Sequence, residues 1–155
     1  MNLLEKDGFT FDLGPSIFTL PQIFKDLFQR AGKNMDDYVQ LDPVTPHWRN
    51  FFEDHPTLDL YQEPDLMKAE LGKLPGDAEQ HWQEFQQFLG YAREQYGIID
   101  SGYFNHGLDT LWEFFWHYKS QLLAGKIDYK GSMADSIAAR ISDPKMRMIL
   151  EYFIK

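Results

Sequence analysis

The chain has 155 residues, of which 43% are hydrophobic, 25% charged and 16% aromatic, fractions that exclude a disordered or fibrous protein. Its 15 basic and 24 acidic residues give a net charge of −9, which argues against nucleic acid as the main partner because an acidic surface gains little from phosphate contacts. The chain has no cysteine, so disulfide scaffolds, cysteine-ligated zinc and thiol nucleophiles are excluded.

The charge is unevenly distributed along the chain. Residues 1–62 carry 5 basic and 10 acidic side chains, residues 63–110 carry 3 and 9, and residues 111–155 carry 7 and 5, so the final third alone is basic. No stretch approaches the ~20 apolar residues of a membrane span, and the N-terminus lacks the apolar core of a signal peptide. We therefore expect a cytoplasmic protein. Its 13 Phe, 8 Tyr and 4 Trp suggest an apolar cavity or a lipid-facing surface.

The first part of the chain is predicted to be rich in strands. Phe9, Phe11 and Leu13 alternate with polar residues, as in a half-buried strand, and Pro21 opens an amphipathic helix that ends at Gly32. Turn residues then separate three short strands of a small antiparallel sheet. The first strand is expected near 8–13 and the three short strands near 38–41, 47–52 and 57–61.

The remainder is predicted to be helical. A short helix covers residues 64–74, and Asp77, Asp109, Ser132 and Asp143 are expected to cap four more, with Gly97 stopping or loosening the first of these. The helix after Asp109 is apolar almost all round, so it must be buried or touch lipid or ligand. The last helix has no terminating signal, which leads us to expect a longer parent chain.

These elements predict an α+β fold in two parts, a strand-rich part at residues 1–62 and a helical part at residues 63–155. No metal site is predicted, because His47 and His55 beside Asp54 lack any recognised ligand spacing. The chain has no nucleophile elbow and no G-x-G-x-x-G phosphate loop. The catalytic residues therefore stay unknown.

One strand and its turn, residues 8–16, have a composition that suggests a ligand. Asp12 lies in an otherwise apolar strand and needs partners, while Gly14 permits close approach of a ligand or another segment. From the residues alone, an ordinary strand that ends in a Gly-Pro turn is the favoured alternative.

The chain resembles the bacterial carotenoid desaturases, the phytoene and diapophytoene desaturase group with the related diaponeurosporene oxidases. The order and spacing of several segments carry the resemblance, which covers essentially the whole chain. These segments are residues 7–21, 37–39, 47–54, 58–61, 102–105, 107–111 and 140–155.

The resemblance implies part of an FAD-dependent oxidoreductase of long polyenes at a membrane surface. The family's Rossmann unit and second FAD-binding segment are not found in this sequence, so we expect a truncated first half of the substrate region that binds FAD poorly and is inactive alone. The family's flavin-proximal turn corresponds to Asp12, Gly14, Pro15 and Ser16. Core packing is the commoner role for each large aromatic, yet five of them are candidates to line a polyene tunnel. They are Trp82, Phe85, Trp112, Phe115 and Trp116.

The expected partners are therefore a long apolar polyene, the missing parts of the same enzyme and, for the basic final third, the inner face of the membrane. The alternative is a standalone module that binds an apolar ligand or a membrane surface without redox chemistry. In either case we expect some aromatic surface to be exposed in the isolated chain.

Overall fold

A computed structural model of the chain shows a mixed α+β architecture. It describes residues 3–13, 18–54, 57–104, 106–128 and 131–153. Within these ranges the chain forms two antiparallel hairpins and six α-helices, in two compact units, Met1–Pro43 and Val44–Lys155. The boundary between units precedes the second hairpin, which packs with the helices that follow it. The functional division at residue 62 stays a prediction.

The first unit begins with a hairpin of β1 (Leu3–Lys6) and β2 (Phe9–Asp12). Asp7 and Gly8 form its two-residue turn with φ angles of 53° and 82°, the left-handed pair that Asp-Gly supplies in such turns. The sequence prediction of a strand near 8–13 is confirmed for β2, but it did not anticipate β1. The Asp7-Gly8 pair is the sequence signal that could have predicted this hairpin turn and therefore β1.

Helix α1 (Pro21–Arg30) follows in the same unit, with Gly32 in the predicted left-handed position after its end. Residues 38–41 do not form the predicted strand. Asn34 instead caps a 3-10 turn at Met35–Asp37, and the amides of Tyr38 and Val39 both donate to the carbonyl of Met35. The turn thereby takes the backbone bonds that a strand would need.

The second unit starts with a hairpin of β3 (Trp48–Asn50) and β4 (Leu58–Leu60). These are shorter than the predicted strands at 47–52 and 57–61 but lie within them. Each hairpin is a separate two-stranded sheet. The single small sheet expected from the sequence is therefore wrong within the described residues.

Five helices complete the second unit. They are α2 (Pro64–Leu71), α3 (Ala78–Ile99), α4 (Leu111–Leu123), α5 (Met133–Ala138) and α6 (Pro144–Tyr152). Asp77, Ser132 and Asp143 cap α3, α5 and α6 as predicted, whereas Thr110 rather than Asp109 caps α4. Gly97 does not end α3, which continues to Ile99 and then into a π-helical turn at Asp100–Phe104.

The hydrophobic core of the second unit is built by β4, α2, α3, α5 and α6. Its buried members are Leu58, Met67, Leu71, Leu74, Phe88, Ile137, Ile141, Met146 and Ile149. In the first unit, by contrast, Met35 alone is buried among the described side chains. The expectation of exposed aromatic and apolar surface is confirmed, for example at Phe9, Phe11 and Ile23.

Candidate functional site

The predicted flavin-proximal turn is only partly described by the structure. Asp12 ends β2, where it pairs with Leu3 of β1, while Gly14, Pro15 and Ser16 lie outside the described residues. Leu13, the last described residue before the turn, is 60% exposed. The role of these four residues at a flavin stays a prediction.

The tip of the first hairpin, at the far end of β2 from this turn, does not fit a pyrophosphate site either. The concave surface at the hairpin tip is formed by residues 5–10, and two of its three charged side chains, Glu5 and Asp7, are acidic. Carboxylates repel a pyrophosphate, which proteins normally hold with backbone amides at a helix N-terminus or with cations. We therefore derive no chemical step through a flavin from this chain.

The five predicted tunnel residues form two separate ring clusters. Trp82 and Phe85 are one turn apart on α3, with ring centroids 6.3 Å apart and planes 30° from parallel. Both are half-buried and pack against the hydrophobic core. Phe85 also lines a small apolar cleft of about 10 Å³, which is far below the ~300–1,000 Å³ of typical ligand pockets. In this structure the pair therefore serves as core packing.

The second cluster lies on α4 and is exposed. Trp112 contacts Phe115 at 6.3 Å and Trp116 at 5.4 Å between ring centroids, and Phe115 contacts Trp116 at 5.9 Å. The three side chains are 68%, 43% and 52% exposed. No ring contact joins them to Trp82 or Phe85 within the described part of the chain. The described part of the chain therefore places the five residues in two separate clusters, and their role in lining a polyene tunnel stays a prediction.

Local hydrogen bonds fix where α4 begins. The Thr110 hydroxyl accepts from the amide of Glu113 at 3.2 Å, and the Glu113 carboxylate accepts from the amides of Thr110 and Asp109 at 3.0 and 3.1 Å. These hydrogen bonds lower the pKa of Glu113, and the one with the Thr110 side chain has the largest effect. This capping box satisfies amides that the helix itself leaves free, so the aromatic cluster is held on a regular helix from its first turn.

The neighbouring side of α4 faces the protein interior. Tyr118 is fully buried, donates its hydroxyl to the carbonyl of Ile99 at 3.0 Å and packs against Phe114 at 4.8 Å between ring centroids. Gly102 of the π turn lies against Tyr118 and His117 so closely that it has no room for a Cβ. These contacts tie α4 to the end of α3.

A buried polar network joins the second hairpin to α2, and the sequence did not reveal it. The Arg49 guanidinium donates to both carboxylate oxygens of Asp59 at 2.8 and 2.7 Å. The Asp59 amide in turn donates to the buried Glu70 carboxylate at 3.1 Å, and Glu70 pairs with Lys73. The hydrogen bonds from Arg49 lower the pKa of Asp59 despite its burial. The network faces no cavity, so we assign it to stability.

Metal-ligating side chains are not grouped in the described residues: no cluster of three or more His, Asp or Glu side chains is arranged to hold an ion. His47 is described and His55 is not. His106 and His117 lie 5.2 Å apart between ring centroids without a third ligand. Among the described helices, none is long and apolar enough to cross a membrane.

Comparison with known proteins identifies the relatives of this chain. The 4,4'-diapolycopene oxygenase of Methylomonas sp is 47% identical over 156 aligned positions, which include the whole chain and 31% of the relative. The 4,4'-diaponeurosporene oxygenase of Staphylococcus aureus strain USA300 is 42% identical over 158 positions, again with the whole chain and 31% of the relative. Along its whole length the chain is thus similar to one segment of these carotenoid oxygenases.

This similarity confirms the resemblance found in the sequence. The chain spans about a third of the length of the curated relatives it matches. No family model matches it. Because the similarity covers the whole chain, the exposed aromatic helix and the hairpin of the first unit both lie in the segment shared with the oxygenases.

Proposed function

We propose that this chain forms part of an FAD-dependent oxidoreductase that oxidises a long, apolar polyene in carotenoid biosynthesis. The observation that carries the proposal is the 47% and 42% identity along the whole chain to oxygenases whose names specify 4,4'-diapolycopene and 4,4'-diaponeurosporene. Such identity supports the same fold and a related substrate class. The choice between desaturation and methyl-group oxidation belongs to the whole enzyme.

Within that enzyme, we propose that the Asp12–Ser16 turn lies beside the flavin while residues outside this chain hold the pyrophosphate. The absence of a G-x-G-x-x-G loop from the sequence supports this division. The fold would then be a partial flavoprotein fold without its Rossmann unit. We expect the isolated chain to retain no stoichiometric FAD and to oxidise no polyene.

The aromatic residues provide the apolar contacts that a polyene requires. We propose that Trp112, Phe115 and Trp116 meet the substrate or the lipid that delivers it, and that Trp82 and Phe85 shape the neighbouring core. A long polyene dissolves in a bilayer rather than in water, so the proposed place of action is the cytoplasmic face of the membrane.

A chimeric enzyme tests the proposal. The corresponding segment of the Methylomonas 4,4'-diapolycopene oxygenase is replaced by this chain, and oxidation of 4,4'-diapolycopene is followed by its change in visible absorption. We expect a soluble, flavin-containing chimera that oxidises the polyene. A chimera that folds and retains flavin but leaves the polyene unchanged would contradict the proposed role. The unmodified oxygenase is the control for the assay.

A second function is favoured by one observation, namely that the exposed aromatic cluster on α4 needs no further chain to form. A standalone module that binds an apolar ligand or a membrane surface would use the same cluster without redox chemistry. The two functions separate in one experiment: the isolated chain is titrated with a polyene in detergent micelles, with tryptophan quenching as readout, and then with FAD. Saturable polyene binding together with an inactive chimera would favour the standalone module.

A further inference from the structure

Helix α4 presents an apolar face that the fold does not use. Leu111 is 89% exposed and Leu123 is 78% exposed, and they flank the three exposed aromatic rings. At 100° per residue these positions share one side of the helix, about 140° wide, which extends along roughly 18 Å of helix axis. We call this side the aromatic face. It consists of Leu111, Trp112, Phe115, Trp116 and Leu123, with Lys119 among them.

The protein's own packing does not account for the aromatic face. Tyr118 and Phe114, on the side of α4 next to this face, already provide the contact of the helix with the interior. Exposed contiguous apolar patches on a soluble protein usually mark interaction sites. Trp and Phe together with Leu, next to a basic side chain, are the composition of helices that lie in the membrane interface.

The charges around the aromatic face favour an anionic surface. Lys119 places its ammonium group 4.7 Å from the centre of the Trp116 ring, and neither Lys119 nor Lys126 has an acidic partner among the described residues. Two nearby acids are engaged, since Glu113 caps the helix and Asp128 accepts from the hydroxyls of Tyr91 and Ser136. Cations that can reach outward beside apolar rings match lipid phosphates.

We propose that the aromatic face of α4 inserts into the headgroup–acyl boundary of an anionic bilayer, with the helix parallel to the membrane plane and Lys119 and Lys126 at the phosphates. The chain as a whole carries a net charge of −9, so an anionic membrane repels most of its surface and selects this face. The inference deepens the proposed function by naming the surface through which the chain meets the membrane. Its test needs neither flavin nor polyene, so each proposal can fail without the other.

The test is sedimentation of the purified chain with sucrose-loaded vesicles of phosphatidylcholine, with or without phosphatidylglycerol. We expect the chain to bind vesicles that contain phosphatidylglycerol and to bind neutral vesicles more weakly. Binding to the anionic vesicles should be weaker at ~0.5 M than at ~0.1 M salt, because salt screens the lysine–phosphate attraction. The double variant Phe115→Ser with Trp116→Ser should lower the partition coefficient more than about tenfold, since binding scales with buried apolar area.

A matched control lies on the other exposed apolar helix. Ile23 and Phe24 of α1 are 56% and 41% exposed, so Ile23→Ser with Phe24→Ser removes comparable apolar surface from a different helix. This variant should bind vesicles as the unchanged chain does, and both variants should keep their far-ultraviolet circular dichroism. Lys119→Glu should reduce binding to anionic vesicles without affecting the little binding to neutral ones.

Three results would overturn the proposal. The first is an unchanged chain that does not sediment with anionic vesicles, and the second is equal loss of binding in the α1 and α4 variants. The third is a dimer, seen by analytical ultracentrifugation, that dissociates on substitution of Phe115 and Trp116 while vesicle binding is unaltered. That result would assign the aromatic face to a second copy of the chain.

Discussion

Replacing Gly102 by alanine should loosen the junction between α3 and α4. A Cβ at this position would lie 2.6 Å from both Cδ2 of His117 and Cζ of Tyr118 and would overlap the Tyr118 hydroxyl, whereas real Cβ contacts essentially never fall below 3.0 Å. Tyr118 is fully buried and hydrogen-bonded to Ile99, so it cannot move aside without opening the interior. Overpacking of this kind costs about 1–3 kcal/mol, which outweighs the ~0.5–1 kcal/mol that alanine gains over glycine in a helix.

We expect Gly102→Ala to lower the free energy of unfolding by about 1–2 kcal/mol, measured by urea denaturation with circular dichroism. The control is Gly90→Ala in α3, where a new Cβ has no heavy atom within 4 Å and should stabilise by about 0.5–1 kcal/mol. Tyr118→Leu removes the opposing ring atoms, so the loss caused by Gly102→Ala should shrink in that background. Equal stability of the two alanine variants would refute the steric argument.

Three further predictions concern local contacts. Thr110→Ala removes one half of the capping box with Glu113 and should cost about 1 kcal/mol of unfolding free energy; Thr110→Ser should restore it. Arg49 lowers the pKa of Asp59. The contribution of the Arg49–Asp59 ion pair to folding stability is therefore complete above the ordinary carboxyl pKa of about 4 and is lost as the pH falls through the lower folded-state value. In Asp59→Asn, the free energy of unfolding measured between pH 7 and 2 should show a weaker acid dependence. Gly8→Ala places a Cβ at φ +82° and should destabilise the hairpin by about 1 kcal/mol, seen as faster amide hydrogen exchange in β1 and β2.

Signals confined to a few neighbouring residues were predicted well from the sequence. Ser132 and Asp143 start α5 and α6 because an N-cap depends only on a side chain and the amides two or three residues later. The same locality explains the error at residues 38–41. There the apolar pattern suggested a strand, but Asn34 caps a turn whose carbonyl at Met35 receives two amides.

Interactions between distant parts of the chain were not predictable in this way. Asp59 occupies a position of β4 that alternates with Leu58 and Leu60, so the pattern gives it a polar, solvent-facing side. It is only 6% exposed, because Arg49 from β3 and Glu70 from α2 supply its hydrogen bonds. Neither partner is indicated by the residues next to Asp59 in sequence.

The aromatic residues show the same limit and give it a functional meaning. Trp82 and Phe85 on α3 and Trp112 and Phe115 on α4 have the same spacing and the same centroid separation, 6.3 Å. The α3 pair packs against the core, whereas the α4 pair is exposed because Tyr118 already fills the inward side of its helix. The sequence pattern does not distinguish an aromatic ring that packs into the core from one that the fold leaves exposed. The excess on α4 therefore needs an explanation outside the packing of this chain. Lys119 and Lys126, which have no acidic partner among the described residues, favour a lipid surface as that explanation.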